Sequence, residues 1–157
     1  EGSRPVFFEI QALVAKANAG FAKRTSLGID HNRLSMIIAV LERQAGMPLL
    51  NYDVYVNVVG GMKPDSPATD LAVALAIYSS VRERTSPSRL VAVGEVGLTG
   101  NLRTIPNADK IVAEAERLGY DKVLLPKGNA DKASPNSKVK ICGAATLREA
   151  IRLFTEE

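Results

Sequence analysis

The sequence predicts one α+β domain over residues 1–157, with mixed sheets packed against about four helices. Three observations carry this. Phe8, Ile10, Ala12 and Val14 alternate with Phe7, Glu9, Gln11 and Leu13, the period of two that sends side chains to opposite faces of a sheet. Leu34, Ile37, Ile38 and Leu41 instead fall at i, i+3, i+4 and i+7, one stripe of a helix. The two periods then take turns along the chain, with no internal repeat and no low-complexity run.

The elements follow in order. After the first strand, Asn18-Ala19-Gly20 reads as a turn, and Lys23 to Leu27 as a second strand antiparallel to the first. Asp30 or Asn32 can cap the first helix, because a short acceptor side chain takes up a free N–H of the first turn. Gly46 and Pro48 end it. Tyr52 to Val59 is a strand with Val54, Val56 and Val58 on one face, stopped by Gly60-Gly61. Met62 to Ser66 is a loop. Ser66 is an N-cap and Pro67 a first helical residue for a second helix carrying Leu71, Leu75 and Tyr78. Leu90 to Gly94 and Leu98 to Ile105 read as strands, with Gly97 and Gly100 as bends. Asn107 caps a third helix bearing Ile111, Ala115 and Leu118, and Gly119 ends it. Lys122 to Pro126 is a short buried strand, Lys127 to Lys138 a polar loop, and Val139 to Cys142 a last strand. Thr146 and Glu149 form a capping box that opens a final helix with Leu147, Ala150, Ile151 and Phe154 inward.

Composition excludes several classes. The chain is 46% hydrophobic and 24% charged, which is globular rather than disordered or coiled-coil. No apolar run approaches the roughly 18 residues that span a bilayer, and Glu1-Gly2-Ser3-Arg4-Pro5 is no signal peptide, so no membrane partner is expected. Cys142 is the only cysteine, which excludes a disulfide framework and a zinc cage and suits a reducing cytoplasm. His31 is the only histidine and reads as a helix-start residue rather than a ligand or base. The net charge of +3 permits nucleic-acid binding without demanding it. There is no phosphate-binding G-x-x-x-x-G-K-[ST] and no G-x-G-x-x-G, so no cofactor is expected in this chain.

One loop carries more. Gly60-Gly61-Met62-Lys63-Pro64-Asp65-Ser66-Pro67-Ala68-Thr69-Asp70, running into an apolar helix, resembles the nucleophile loop of the Lon peptidase domain, P-K-D-G-P-S-A-G. Gly94 to Leu102 and Lys122 to Pro126 resemble two further Lon segments. The resemblance implies a Lon-like fold of the ribosomal protein S5 domain 2 type. In Lon a serine and a lysine form the catalytic dyad. Here the serine position holds Ala68 and the lysine position Ile111, so no catalytic residue is expected. A displaced dyad would have to use Ser66 or Thr69 with Lys63 or Lys110; Ser66 reads better as an N-cap, and Lys110 is rotated about 100° from the dyad position.

The chain more closely resembles the C-terminal domain of the bacterial RadA (Sms) family of DNA-repair proteins. The matching stretches are Arg4-Pro5 with Glu9 to Val14, Gly28 to Leu34 leading to Ala39-Val40-Leu41-Glu42, and Asp53 to Gly61. That resemblance implies a longer parent with a four-cysteine zinc finger and a RecA-like, DNA-dependent ATPase, where ATP, magnesium and zinc would bind. It implies hexameric rings, branch migration of recombination intermediates, and the recombinase RecA as partner. This chain would be the excised C-terminal module, helping to build the ring and to contact DNA with low sequence specificity. Candidate DNA contacts are Lys23 and Arg24 on a strand, Arg33 in a helix first turn, and Lys63. Arg33 stands out because a cation near a helix N-terminus opposes the macrodipole, which hints at a phosphate or carboxylate partner. Tyr52 and Tyr55 could stack on bases or pack in the sheet. The alternative is a purely structural oligomerisation scaffold.

Overall fold

The computed structural model describes residues 4–18, 21–61, 63, 64, 66–135 and 137–156. The chain is α+β, with two three-stranded sheets, a short two-stranded ribbon and five α-helices among the described residues.

The first sheet has the order β1-β3-β2, built from β1 (Ile10–Lys16), β2 (Arg24–Leu27) and β3 (Tyr52–Val58). β3 takes the centre because its inner face, Val54, Val56 and Val58, is wholly apolar and buried. β1 pairs antiparallel to it, with Ile10 opposite Val58. β2 runs opposite to β1, as expected, but the two are not neighbours: β3 lies between them, and β2 pairs parallel to it, with Leu27 opposite Asn57. Helix α1 (His31–Ala45) separates β2 from β3, and a helical crossover returns the chain in the same direction. Asp30 caps α1, its carboxylate accepting from the Arg33 N–H at 3.0 Å. Gly46 closes it in the left-handed conformation, φ 67°.

Helix α2 (Asp70–Arg82) lies along β1 beside α1. Its Ser80 hydroxyl accepts the Val14 N–H, 2.9 Å away, which satisfies part of the free edge of β1. Behind α2 stands the second sheet, in the order β4-β7-β8: β4 (Leu90–Ala92), β7 (Lys122–Pro126) and β8 (Lys140–Ala144), all parallel. Helix α3 (Ala108–Arg117) packs on one face and α5 (Leu147–Thr155) reaches the other. Every residue of β7 is buried, as expected of a parallel strand covered on both faces.

Three local expectations are corrected. Leu98 to Ile105 is no continuous strand: β5 (Glu95–Val96) and β6 (Leu102–Arg103) form a ribbon around a tight turn. The Gly97 N–H donates to Asn101 O at 2.8 Å, and a Cβ on Gly97 would lie 2.2 Å from Asn101 Oδ1, so any side chain there would displace the Asn101 amide. Asn107 precedes α3 with φ 61° but makes no side-chain capping bond, and Leu118 is exposed. The polar segment after β7 begins with a short helix, α4 (Lys127–Ala130). The turn expected at Asn18-Ala19-Gly20 and the loop expected from Met62 to Ser66 lie partly outside the described residues. The capping box before α5 is present, with Thr146 accepting from Glu149 N–H and Glu149 from Ala145 N–H. Among the described residues, no helix is long and apolar enough to cross a membrane.

Lys122 is the one cation fully buried among the described residues. Its ammonium donates to Leu153 O (3.3 Å) and Glu156 O (3.0 Å), carbonyls at the end of α5. Lys122→Met keeps the volume and removes the donor. The loss should be about 2 kcal/mol, read as a melting-temperature fall of roughly 4–8 °C. A change under about one degree would show that these carbonyls need no cation.

Candidate functional site

The approach to α2 is shaped by hydrogen bonds. Ser66 accepts from the Ala68 N–H at 3.1 Å and starts a single 3-10 turn, Pro67–Thr69. Thr69 Oγ1 donates back to Ser66 O at 2.9 Å. The turn is pinned to the second sheet: the Gly94 N–H donates to Ala68 O at 2.9 Å, and the Leu71 N–H to Gly94 O at 3.0 Å.

Beside this turn lies an open groove of about 860 Å³. Its floor is the small-residue side of α2, Ala72, Ala76 and Ser79, with Leu75. One wall is the lead-in to β1 from Pro5 to Ile10; the other is β4 and Val93. Ala68 and Ile111 both line it, and both pack against the apolar cluster under α3. Two positions far apart in sequence therefore meet at one groove, and each carries a hydrocarbon side chain. Lys63 stands exposed in the lining; among the described residues it makes no hydrogen bond or ion pair. Ser66 and Thr69 also line the groove, but among the described residues no basic side chain hydrogen-bonds either hydroxyl, and Lys110 is exposed outside the lining. An activated nucleophile needs such a base in reach. Among the described residues, no cluster of three His, Cys, Asp or Glu could hold a metal ion.

Next to the turn sits the most buried charge of the site. Asp70, the first residue of α2, is 2% exposed. Its carboxylate accepts from the Arg33 Nε at 3.2 Å and from the Val96 N–H at 3.1 Å, and Arg33 Nη2 makes a second, closer contact. One carboxylate thus joins α1, α2 and β5. Burial pushes the Asp70 carboxyl above its ordinary value, while the Arg33 guanidinium and the Val96 N–H pull it back in part. Sequence reasoning gave Arg33 a phosphate or an interface carboxylate; its partner is the chain's own Asp70. The acidic residue in a helix first turn was a visible signal, but the pairing across thirty-odd residues was not.

The four basic candidates occupy two places. Lys23 is exposed, and only its backbone is tied, by an N–H to Asp53 Oδ1 at 2.7 Å. Arg24 is turned into the fold, donating to Tyr52 O and, at 3.2 Å, to Leu49 O. Both lie where β3 begins, whereas Arg33 and Lys63 lie beyond its far end. Arg24 stands opposite Val54 and Lys63 follows Val58, so about four strand residues, roughly 13 Å, separate the two groups. Tyr52 and Tyr55 are half-buried in the sheet.

The sign of the Asp70 effect is testable. A carboxyl raised by folding binds its proton more tightly in the native state, so its contribution is fully present below 3.8 and is lost as pH rises through the folded value. Urea melts across that range should therefore show the wild type losing stability relative to Asp70→Asn as pH rises. A difference that grows with pH would mean that attraction to Arg33 outweighs desolvation.

Comparison with known proteins adds the lineage. Proteins named DNA repair protein RadA match over nearly the whole chain: 41% identity over 153 residues in Halalkalibacterium halodurans, 43% over 152 in Listeria monocytogenes and 39% over 156 in Escherichia coli. These alignments cover 97–99% of this chain but 33–34% of each relative, so the chain spans about a third of their length. The resemblance to RadA read from the sequence therefore holds. A family model described as subunit ChlI of Mg-chelatase, which the sequence reading did not anticipate, matches residues 25–129, from within β2 into α4. The chain, similar throughout to one third of RadA, belongs to the ChlI family.

Proposed function

We propose that this chain is a non-catalytic module of a DNA-repair protein, serving ring assembly and sequence-nonspecific DNA contact during branch migration of recombination intermediates. The observation that carries the reading is the match, at about 40% identity over almost its full length, to proteins named DNA repair protein RadA. The groove supports the non-catalytic part: Ala68 and Ile111 stand where a dyad would, and the Ser66 and Thr69 hydroxyls beside them bond backbone groups rather than a base. ATP, magnesium and zinc would then act in other parts of the whole protein, as would the recombinase RecA as a partner. The setting is cytoplasmic, and the assembly a homo-hexamer.

DNA contact falls to exposed cations. Lys23 and Lys63 are free to neutralise phosphates, whereas Arg24 and Arg33 are already engaged within the fold. That engagement favours a second reading, a scaffold that assembles and binds no DNA. The test is anisotropy of a labelled duplex across a salt series. A DNA-contacting module gives log K falling with log[salt], and Lys23→Ala with Lys63→Ala lowers the slope by about 1.8, roughly 0.9 per lost contact. No binding at low salt, with rings still seen by sedimentation, establishes the scaffold instead.

A further inference from the structure

The groove beside Ala68 is bounded by two strand edges with unused backbone groups. In the β1–β3 ladder the odd-numbered residues of β1 face β3, as the Val59 N–H to Glu9 O (2.9 Å) and Ala17 N–H to Asn51 O (2.9 Å) bonds require. The even-numbered residues face away. Val14 spends its outward N–H on Ser80; Ile10 and Ala12, next along the same edge, have no such partner among the described residues. The β4–β7 ladder has the same parity. Arg89 O accepts from Lys122 N–H and Val93 N–H donates to Leu124 O, which turns the N–H and C=O of Leu90 and Ala92 outward. At the end of this edge Gly94 already pairs with Ala68 and Leu71, and there the pairing stops. Ile10, Leu90 and Ala92 all line the groove.

The geometry points to this groove as a docking site for an extended polypeptide segment of a partner protein, added as a strand against β4 and the lead-in to β1. Backbone groups of an edge strand recognise another backbone, whatever its sequence, and the alternate side chains are read by what they lie against. Here those surfaces are apolar or small: Ala72, Ala76 and Leu75 below, Ile111 and Tyr120 at the side. The segment therefore carries small or β-branched apolar residues at alternate positions. Its charge follows from the lining. Glu9 and Lys63 are its two charged residues among those described; the Glu9 carboxylate already accepts from Gln11 at 3.2 Å, and Lys63 is uncompensated among the described residues. The segment bears an acidic residue at the Lys63 end. One lysine in an apolar trough is no phosphate track, which argues against a nucleic acid here. The volume lies within the range of ligand-binding clefts. The segment is held and not cleaved, because the Ser66 and Thr69 hydroxyls in the lining have no base bonded to them among the described residues.

The test uses an end-blocked, fluorescein-labelled hexapeptide of one glutamate followed by alternating valine and threonine, and the same peptide N-methylated at every second amide. The unmethylated peptide should bind this chain in the micromolar range, and methylation should weaken it at least tenfold by removing strand hydrogen bonds. Ala92→Pro deletes one donor that points away from β7 and bonds no strand, and should also cost about tenfold. Ala76→Leu fills the floor and should abolish binding with the melting temperature retained, so the proposal stands or falls even where the proline variant unfolds. Lys63→Glu should weaken the acidic peptide but not its glutamine analogue. Equal binding of the methylated peptide, or no binding at millimolar peptide, overturns the proposal. Displacement of the peptide by a single-stranded oligonucleotide, or chain dimers lost in Ala92→Pro, would assign the groove to nucleic acid or to a second copy and overturn it as well.

Discussion

The arrangement of the domain depends on a carboxylate placed where water cannot reach it. Asp70 begins α2, and its oxygens are shared by Arg33 from the start of α1 and by the backbone of β5. Removing a carboxylate from water is expensive unless every lone pair is matched, so the three elements hold one relative position or lose the match. That position fixes the turn at Ser66–Thr69, its bonds to Gly94 and hence the spacing of the two groove walls. Arg33 remains over a third exposed, which leaves its charge partly hydrated and eases the cost of the pair.

Local chemistry was legible wherever a short stretch decided the outcome. Asp30 and Gly46 bracket α1, Ser66-Pro67 opens the turn into α2, and Thr146 with Glu149 opens α5, each through contacts within five residues. The inner face of β3 was equally clear, since Val54, Val56 and Val58 sit two apart. What failed was decided at a distance. The place of β2, beyond β3 and not beside β1, depends on the helical crossover that follows it, not on its own residues. The turn at Gly97–Asn101 depends on how closely Asn101 folds back, which alternation of side chains does not encode.

The site divides along the same line. That Ala68 and Ile111 belong together was readable from motif spacing, and both do line one groove. The basic candidates were chosen by type and element, and type says nothing about what a long side chain meets. Arg24 reaches over to carbonyls around Tyr52, and Arg33 to a carboxylate on another helix. Guanidinium groups, with five donors in a fixed fork, suit such internal anchoring better than ammonium groups do. The two of the four that stay exposed are lysines at opposite ends of β3, so these candidates do not converge on one patch.

The buried ammonium of Lys122 has a bearing on how this molecule behaves in salt. Its partners are main-chain carbonyls at the end of α5, shielded from the counterions that weaken exposed pairs such as Arg152 with Glu156. Rising ionic strength therefore strips attraction from the outside of the domain while the closing helix stays seated. Brine washes the surface and leaves the bolt in place.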